Sequence, residues 1–221
     1  MTGRADIVFL FDVDNTLFDN DGFHDDLEAR LRGDCGDKGT ARYWAIYEEL
    51  REQLSYADYI GALERYRLED LHNPAIYRTA NWMLDYPFAD RLYPHALDVV
   101  KRVRRWGEAV ILSDGDAVFQ PHKIARSGLW NAFEGNVLIY VHKERELAEV
   151  ERRHPAERYV LVDDKASILA AVKGVWGDRL TTVFPMQGHY AAQATPSESA
   201  SADVTVGAVG DLLSRDFASL K

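Results

Sequence analysis

A single cysteine, Cys35, excludes an intrachain disulfide. The fold must therefore be held by its core, as suits a reducing compartment, and a cytoplasmic location is expected. Cys35 sits among Gly, Asp and Lys with no neighbouring histidine, which gives it no catalytic setting. No apolar run approaches the ~20 residues that a membrane-spanning helix needs. No basic segment followed by a long apolar stretch opens the chain, so a signal peptide is not expected either. Basic residues are also few: 26 Lys and Arg stand against 36 Asp and Glu, for a formal net charge of −10. Binding to a phosphate backbone needs clustered Lys and Arg, so nucleic acid is not an expected partner. An anionic substrate would have to be attracted locally, against the field of the whole chain. The seven histidines form no ligand spacing, and there is no internal repeat.

What is present suits one mid-sized domain, or a core carrying an inserted module: 221 residues, 47% of them hydrophobic. The stretch Ile7-Val8-Phe9-Leu10-Phe11 reads as a buried strand, too short for a typical helix. It runs straight into Asp12-Val13-Asp14-Asn15-Thr16. On an extended backbone residues i and i+2 share a side, so Asp12 and Asp14 face together. Two such acids repel unless a cation or a shared proton relieves them, and a hard ion such as Mg²⁺ is suited to that. An Asx-type turn, which favours the same residue types, is the plainer reading of this stretch.

Beyond a turn-rich exit, the pattern is helical to about residue 90. Thr40 is expected to cap a helix carrying Tyr43, Ile46, Tyr47, Leu50 and Leu54 on one stripe. A second helix holds Ile60, Leu63 and Tyr66, and a third runs from Pro74 through Met83. Pro94 opens a helix with Ala96, Val99, Val100 and Val103 buried and Gly107 at its exit. Ala109–Leu112 is a second buried strand, ending at Ser113. A helix from about Phe119 to Ser127 precedes an extended stretch, residues 136–141, after which Lys143 opens another helix. Arg158–Val162 is a third strand, ending in Asp163-Asp164, and the next helix is expected to stop at Gly174. Strands over residues 181–184 and 204–206 complete the pattern, with residues 191–202 as a loop. Strands alternating with helices predict an α/β fold, a Rossmann-like parallel sheet covered on both faces. Residues 18–90 would be a small all-α cap inserted into a core made of residues 1–17 and 91–221.

Acids or a hydroxyl thus end three strands, Asp12/Asp14, Ser113 and Asp163/Asp164, with Lys143 between the last two in sequence. This order resembles the four motifs of the haloacid dehalogenase-like hydrolases and covers nearly the whole chain apart from the cap. The resemblance implies a phosphatase that uses Mg²⁺ and a phosphoaspartate intermediate to hydrolyse a small phosphorylated metabolite. Asp12 would be the nucleophile, Asp14 the general acid and base, Ser113 a donor to the phosphoryl group and Lys143 its charge partner. The metal would be held by Asp12, by the backbone carbonyl of Asp14 and by Asp164, with Asp163 acting through water. A phosphomutase shares this set. A dehalogenase of the family would lack the second acid of the first motif, and a phosphonate hydrolase would use a cap lysine, for which essentially Lys38 is on offer. A receiver-type switch carries its acid pair and its phosphorylated Asp in the reverse order. A non-catalytic binding module would be expected to have lost one of these side chains.

Each motif also has a plainer reading. Lys143 beside Glu144 fits a surface lysine, Ser113 could open a turn, and Asp163-Asp164 could cap the following helix. Asp114 and Asp116 depart from the Asn-Gly common in the family and fit turn chemistry, and Thr16 is expected to bond its own loop. The aromatics Tyr43, Trp44, Tyr47, Tyr56, Tyr59 and Tyr66 fit packing at helical spacing, or a stack on a nucleobase.

Overall fold

Alternation within the first strand builds the molecule's two apolar layers. A computed structural model describes residues 5–195, 197 and 201–216. In β1 (Ala5–Phe11), Ile7, Phe9 and Phe11 enter one cluster while Val8 and Leu10 enter another on the opposite face. A strand buried on both faces is the centre of a parallel sheet. Indeed β1 is flanked by β2 (Glu108–Asp114) and β4 (Ala156–Val162), with Phe9 opposite both Ala109 and Val160. The sheet continues through β3 (Val137–Tyr140) on one side, and through β5 (Leu180–Pro185) and β6 (Val204–Val206) on the other. Within this sheet the described strands pair in parallel throughout, in the order β3-β2-β1-β4-β5-β6. This is the expected Rossmann-like α/β sheet. The crossing point beside β1 brings the carboxyl ends of β1, β2 and β4 together, where such sheets bind ligands.

Between β1 and β2 run α1 (Asn20–Leu54), α2 (Tyr59–Glu69) and α3 (Pro74–Leu84). The cap of α1 is Asp19, whose Oδ1 accepts from the Gly22 amide at 2.9 Å. Thr40, expected there, lies inside the helix. The helix breaks at Gly36 (φ 69°, ψ 175°), and the Thr40 hydroxyl donates back to the Gly36 carbonyl at 3.0 Å. The expected stripe is present: Tyr43, Ile46, Tyr47 and Leu50 are buried together with Phe23 and Leu27 of the first half. An aromatic cluster joins these helices to Phe119, beyond β2, whose ring centre lies 5.6 Å from that of Phe23 and 5.7 Å from that of Tyr59.

Further helices are α4 (Ala96–Val103), α5 (Phe119–Arg126), α6 (Leu129–Ala132), α7 (Leu147–Arg153), α8 (Ala166–Trp176) and α9 (Gly188–Gln193). Lys143 opens only a 3₁₀ turn, residues Lys143–Arg145, ahead of α7. α8 runs through Gly174 to Trp176, because Trp176 is buried against Tyr159 and its packing outweighs one helical glycine. α9 occupies the start of the stretch expected to be a loop, while residues 196 and 198–200 of that stretch lie outside those described. Gly107 is required by close approach: a Cβ there would sit 2.2 Å from the Ile7 carbonyl oxygen. No helix among the described residues is long and apolar enough to cross a membrane.

Candidate active site

Backbone geometry at the end of β1 sets the first acid. The Asp12 amide still donates to the Val162 carbonyl at 2.9 Å, so Asp12 is held in line with β4. The chain then turns through Asn15, in the left-handed region at φ 57°, a conformation that Asn tolerates. Asn15 Oδ1 accepts from the amides of Asn20 and Asp21, both at 3.1 Å, tying the turn to the start of α1. The Thr16 hydroxyl, fully buried, accepts from the Asp164 amide at 3.1 Å. Thr16 was expected to bond its own loop, but its hydroxyl instead joins the first acid pair to the last.

Lys143, despite its sequence position beside Glu144, is 1% exposed. Its ammonium lies 2.5 Å from Asp12 Oδ1 and 2.6 Å from Asp163 Oδ2. Burial alone would lower its pKa, but Asp12, Asp163 and Asp114 outweigh burial and hold it well above the ordinary lysine value. The surface-lysine reading is excluded. Asp163 keeps part of the plainer reading, since its Oδ1 accepts from the Lys165 amide at 2.9 Å at the start of α8. Its other oxygen belongs to Lys143. Asp164 differs: both its carboxylate oxygens are buried without a hydrogen-bond partner. Burial, then Asp12 and Asp163, push its pKa up to about 9, and burial raises Asp163 as well. One oxygen each from Asp12, Asp163 and Asp164 falls within 4.8 Å of the others. Three hard oxygen donors around an unsatisfied buried carboxylate fit a Mg²⁺-type ion. The Asp14 side chain stands outside this trio.

Ser113 lies next to the end of β2, which runs one residue further than expected, to Asp114; it is 1% exposed and its hydroxyl donates to the Asp114 carbonyl at 3.2 Å. The two following acids divide the work expected of a turn. Asp116 accepts from the amides of Val118 and Phe119 at 2.8 and 2.6 Å and so starts α5. Asp114 instead accepts from the Lys143 amide at 2.8 Å, and burial pushes its pKa up to about 6 although Lys143 pulls it down. All the candidates Asp12, Asp14, Ser113, Lys143, Asp163 and Asp164 thus stand at the carboxyl ends of β1, β2 and β4 or on the turn after β3.

Two residues on α5 were not anticipated. Lys123, 1% exposed, ion-pairs with Asp14 Oδ1, and Gln120 Nε2 contacts Ser113 Oγ at 2.9 Å and Asp14 Oδ2 at 3.3 Å. Helical spacing puts Phe119, Gln120, Lys123 and Ile124 on one face, which the structure buries, but no local pattern tells that this face meets Asp14. Beside Asp14 a cavity of about 460 Å³ opens between the strand ends and α1, with Tyr47, Arg51, Lys165, His189 and Tyr190 among its walls. Arg51 donates to the Tyr190 hydroxyl at 2.6 Å across it. Of the helical aromatics, Tyr43, Tyr47, Tyr59 and Tyr66 are buried, as packing requires. Tyr47, Tyr56 and Tyr59 also reach the cavity.

No family model matches the chain, and no curated protein sequence does either. Solved structures do. The L-2-haloacid dehalogenase of Xanthobacter autotrophicus with chloropropionic acid covalently bound is 20% identical, with a TM-score of 0.60 over 93% of this chain and 96% of that one. A HAD-type hydrolase of Bacillus subtilis bound to magnesium is 14% identical, with a TM-score of 0.63 over 96% and 98%. At such identities the likeness is one of fold. A protein of Burkholderia xenovorans solved as a haloacid dehalogenase-like hydrolase is 55% identical, with a TM-score of 0.90 over 98% of this chain and 99% of that one. Identity of that degree along the full length of both chains goes beyond shared architecture, and this chain belongs to the haloacid dehalogenase-like hydrolases.

Proposed function

We propose that the protein is a Mg²⁺-dependent phosphatase that hydrolyses a small phosphorylated metabolite through a phosphoaspartate on Asp12. The observation that carries this reading is the unpartnered carboxylate of Asp164, buried in a trio with Asp12 and Asp163 that the Lys143 ammonium serves from the side of those two acids. Asp12, the backbone carbonyl of Asp14 and Asp164 would hold the ion, with Asp163 acting through water and through Lys143. When bound, the ion supplies positive charge against the oxygens of Asp12 and of the phosphoryl group.

Asp12 attacks phosphorus while the bond to the leaving oxygen breaks, and Asp14 gives that oxygen a proton. Water then attacks the phosphorus of the phosphoaspartate, Asp14 takes the proton back, and inorganic phosphate departs. Ser113 turns its hydroxyl from the Asp114 carbonyl to a phosphoryl oxygen. Lys143 offsets the charge that nucleophile and phosphoryl group share; removing a donor of this kind costs about 3–4 kcal/mol of barrier stabilisation. The helices of residues 18–90 act as a cap over the cavity beside Asp14, admitting the metabolite and then excluding water. Asp14 favours phosphate esters over haloacids, since an alkoxide leaving group needs a proton and a halide does not.

The test is release of free phosphate from a panel of monoesters, with Mg²⁺ and without a bisphosphate activator. Asp12→Asn should abolish turnover and leave the melting curve near that of the parent. Turnover retained by that variant removes Asp12 as nucleophile, and a need for a bisphosphate activator points to a mutase.

A further inference from the structure

Lys123 and Gln120 belong to none of the four motifs, yet they grip the residue on which both proton transfers turn. The Lys123 ammonium ion-pairs with Asp14 Oδ1, donates to Asn20 Oδ1 at 3.3 Å and lies 5.2 Å from the centre of the Phe18 ring. Gln120 holds the other oxygen of Asp14 and, through the same amide nitrogen, the Ser113 hydroxyl. Both side chains are buried, Lys123 at 1% and Gln120 at 3% exposure. Packing alone does not call for a charge here. A methionine would cover the Phe18 ring without the desolvation cost of a buried ammonium. What the charge adds is a fixed partner for a carboxylate that is itself 31% exposed at its side chain and lines the cavity.

We propose that Lys123, assisted by Gln120, is the positioning residue that locks the Asp14 carboxylate in the rotamer facing the leaving oxygen. The assignment rests on the phosphatase reading. Without Lys123, a partly exposed aspartate is free to visit its other staggered rotamers. Each change of rotamer displaces the carboxylate by more than the roughly 1 Å that can cost 10²-fold in rate. The Gln120 bridge couples this rotamer to Ser113, so that the proton carrier and the phosphoryl donor are set by one helix face.

The experiment compares Lys123→Met, Lys123→Arg, Asp14→Asn and the Lys123→Met/Asp14→Asn double variant in the full chain with Mg²⁺. The substrates are glycerol phosphate and p-nitrophenyl phosphate. Lys123→Met should lower kcat on glycerol phosphate by about 10- to 100-fold, with KM within about twofold. The loss should be smaller on p-nitrophenyl phosphate, whose phenolate leaves without a proton. Lys123→Arg should recover part of the rate, and the double variant should be no slower than Asp14→Asn, as expected of groups acting as a unit. A Lys123→Met enzyme that melts like the parent and keeps its kcat overturns the proposal, as does an equal loss on both substrates. If Lys123→Met does not fold, Gln120→Leu is read in the same way, and a leaving-group-independent loss there counts against the proposal. A parent enzyme that releases no phosphate from any ester removes the phosphatase reading and this assignment with it. An active parent with an indifferent Lys123 removes this assignment alone.

Discussion

Adding Mg²⁺ should stabilise this protein by an amount that grows with pH, and Asp164 is the reason. Burial and the neighbouring Asp12 and Asp163 push its pKa up to about 9 when no ion is bound, against 3.8 for an ordinary aspartate. Between about pH 4 and pH 9 the folded state therefore holds a proton that the unfolded state has released, and stability falls as pH rises through that window. Below it both states are protonated, and the effect vanishes. At pH 7 the cost reaches on the order of 4 kcal/mol. A divalent ion held by the ionised trio would displace that proton, so the metal-bound form would lose this slope. At about 100-fold excess over its dissociation constant the ion contributes ~2.7 kcal/mol. For a chain of this size that raises Tm by roughly 5–10 °C. Thermal melts in EDTA and in excess MgCl₂ at several pH values measure the increment. Calorimetry in buffers of differing ionisation enthalpy counts the proton, which should approach one per ion near neutrality. Asp164→Asn removes the titrating oxygen and should flatten both the increment and its pH dependence. An increment that is constant with pH, or that survives in Asp164→Asn, refutes the reasoning.

Three further outcomes are expected. Lys143→Met leaves Asp12 and Asp163 buried and unpaired; without metal it should destabilise by about 3–5 kcal/mol in denaturant melts, and an unchanged midpoint would show that the acids relax into solvent. Thr16→Val deprives the Asp164 amide of its acceptor; it should cost about 1–3 kcal/mol and weaken Mg²⁺ binding by calorimetry, whereas unaltered affinity would show that the strand ends hold without it. Gly107→Ala drives a Cβ into the Ile7 carbonyl oxygen, so β1 and its neighbours must shift; a loss of about 1–3 kcal/mol is expected, and a neutral variant would mean that the turn yields freely.

The elements read from residue types and spacing held where one side chain answers one local demand. Alternation in Ile7–Phe11 dictates a strand buried on both faces, and Tyr43, Ile46, Tyr47 and Leu50 form the stripe their spacing requires. Local signals failed where contacts from afar outweigh them. Thr40 looks like a cap, but the helix is started by Asp19 and broken at Gly36. Gly174 looks like a stop, but buried Trp176 carries α8 past it.

The four-part order of acids, hydroxyl and lysine is a property of the chain as written, and so is the α/β fold that it accompanies. Sequence order alone left open whether Lys143 was a surface residue and which acid of the last pair was free. Those points were decided by tertiary structure, because they depend on what surrounds each group. Lys143 is a surface type that becomes a buried counterion only once the sheet brings the turn after β3 to the ends of β1 and β4. Asp163 and Asp164 are chemically identical neighbours, and they part only because Lys143 and the Lys165 amide reach one of them. Lys123 reaches Asp14 across 109 positions of sequence, a separation that no local pattern bridges.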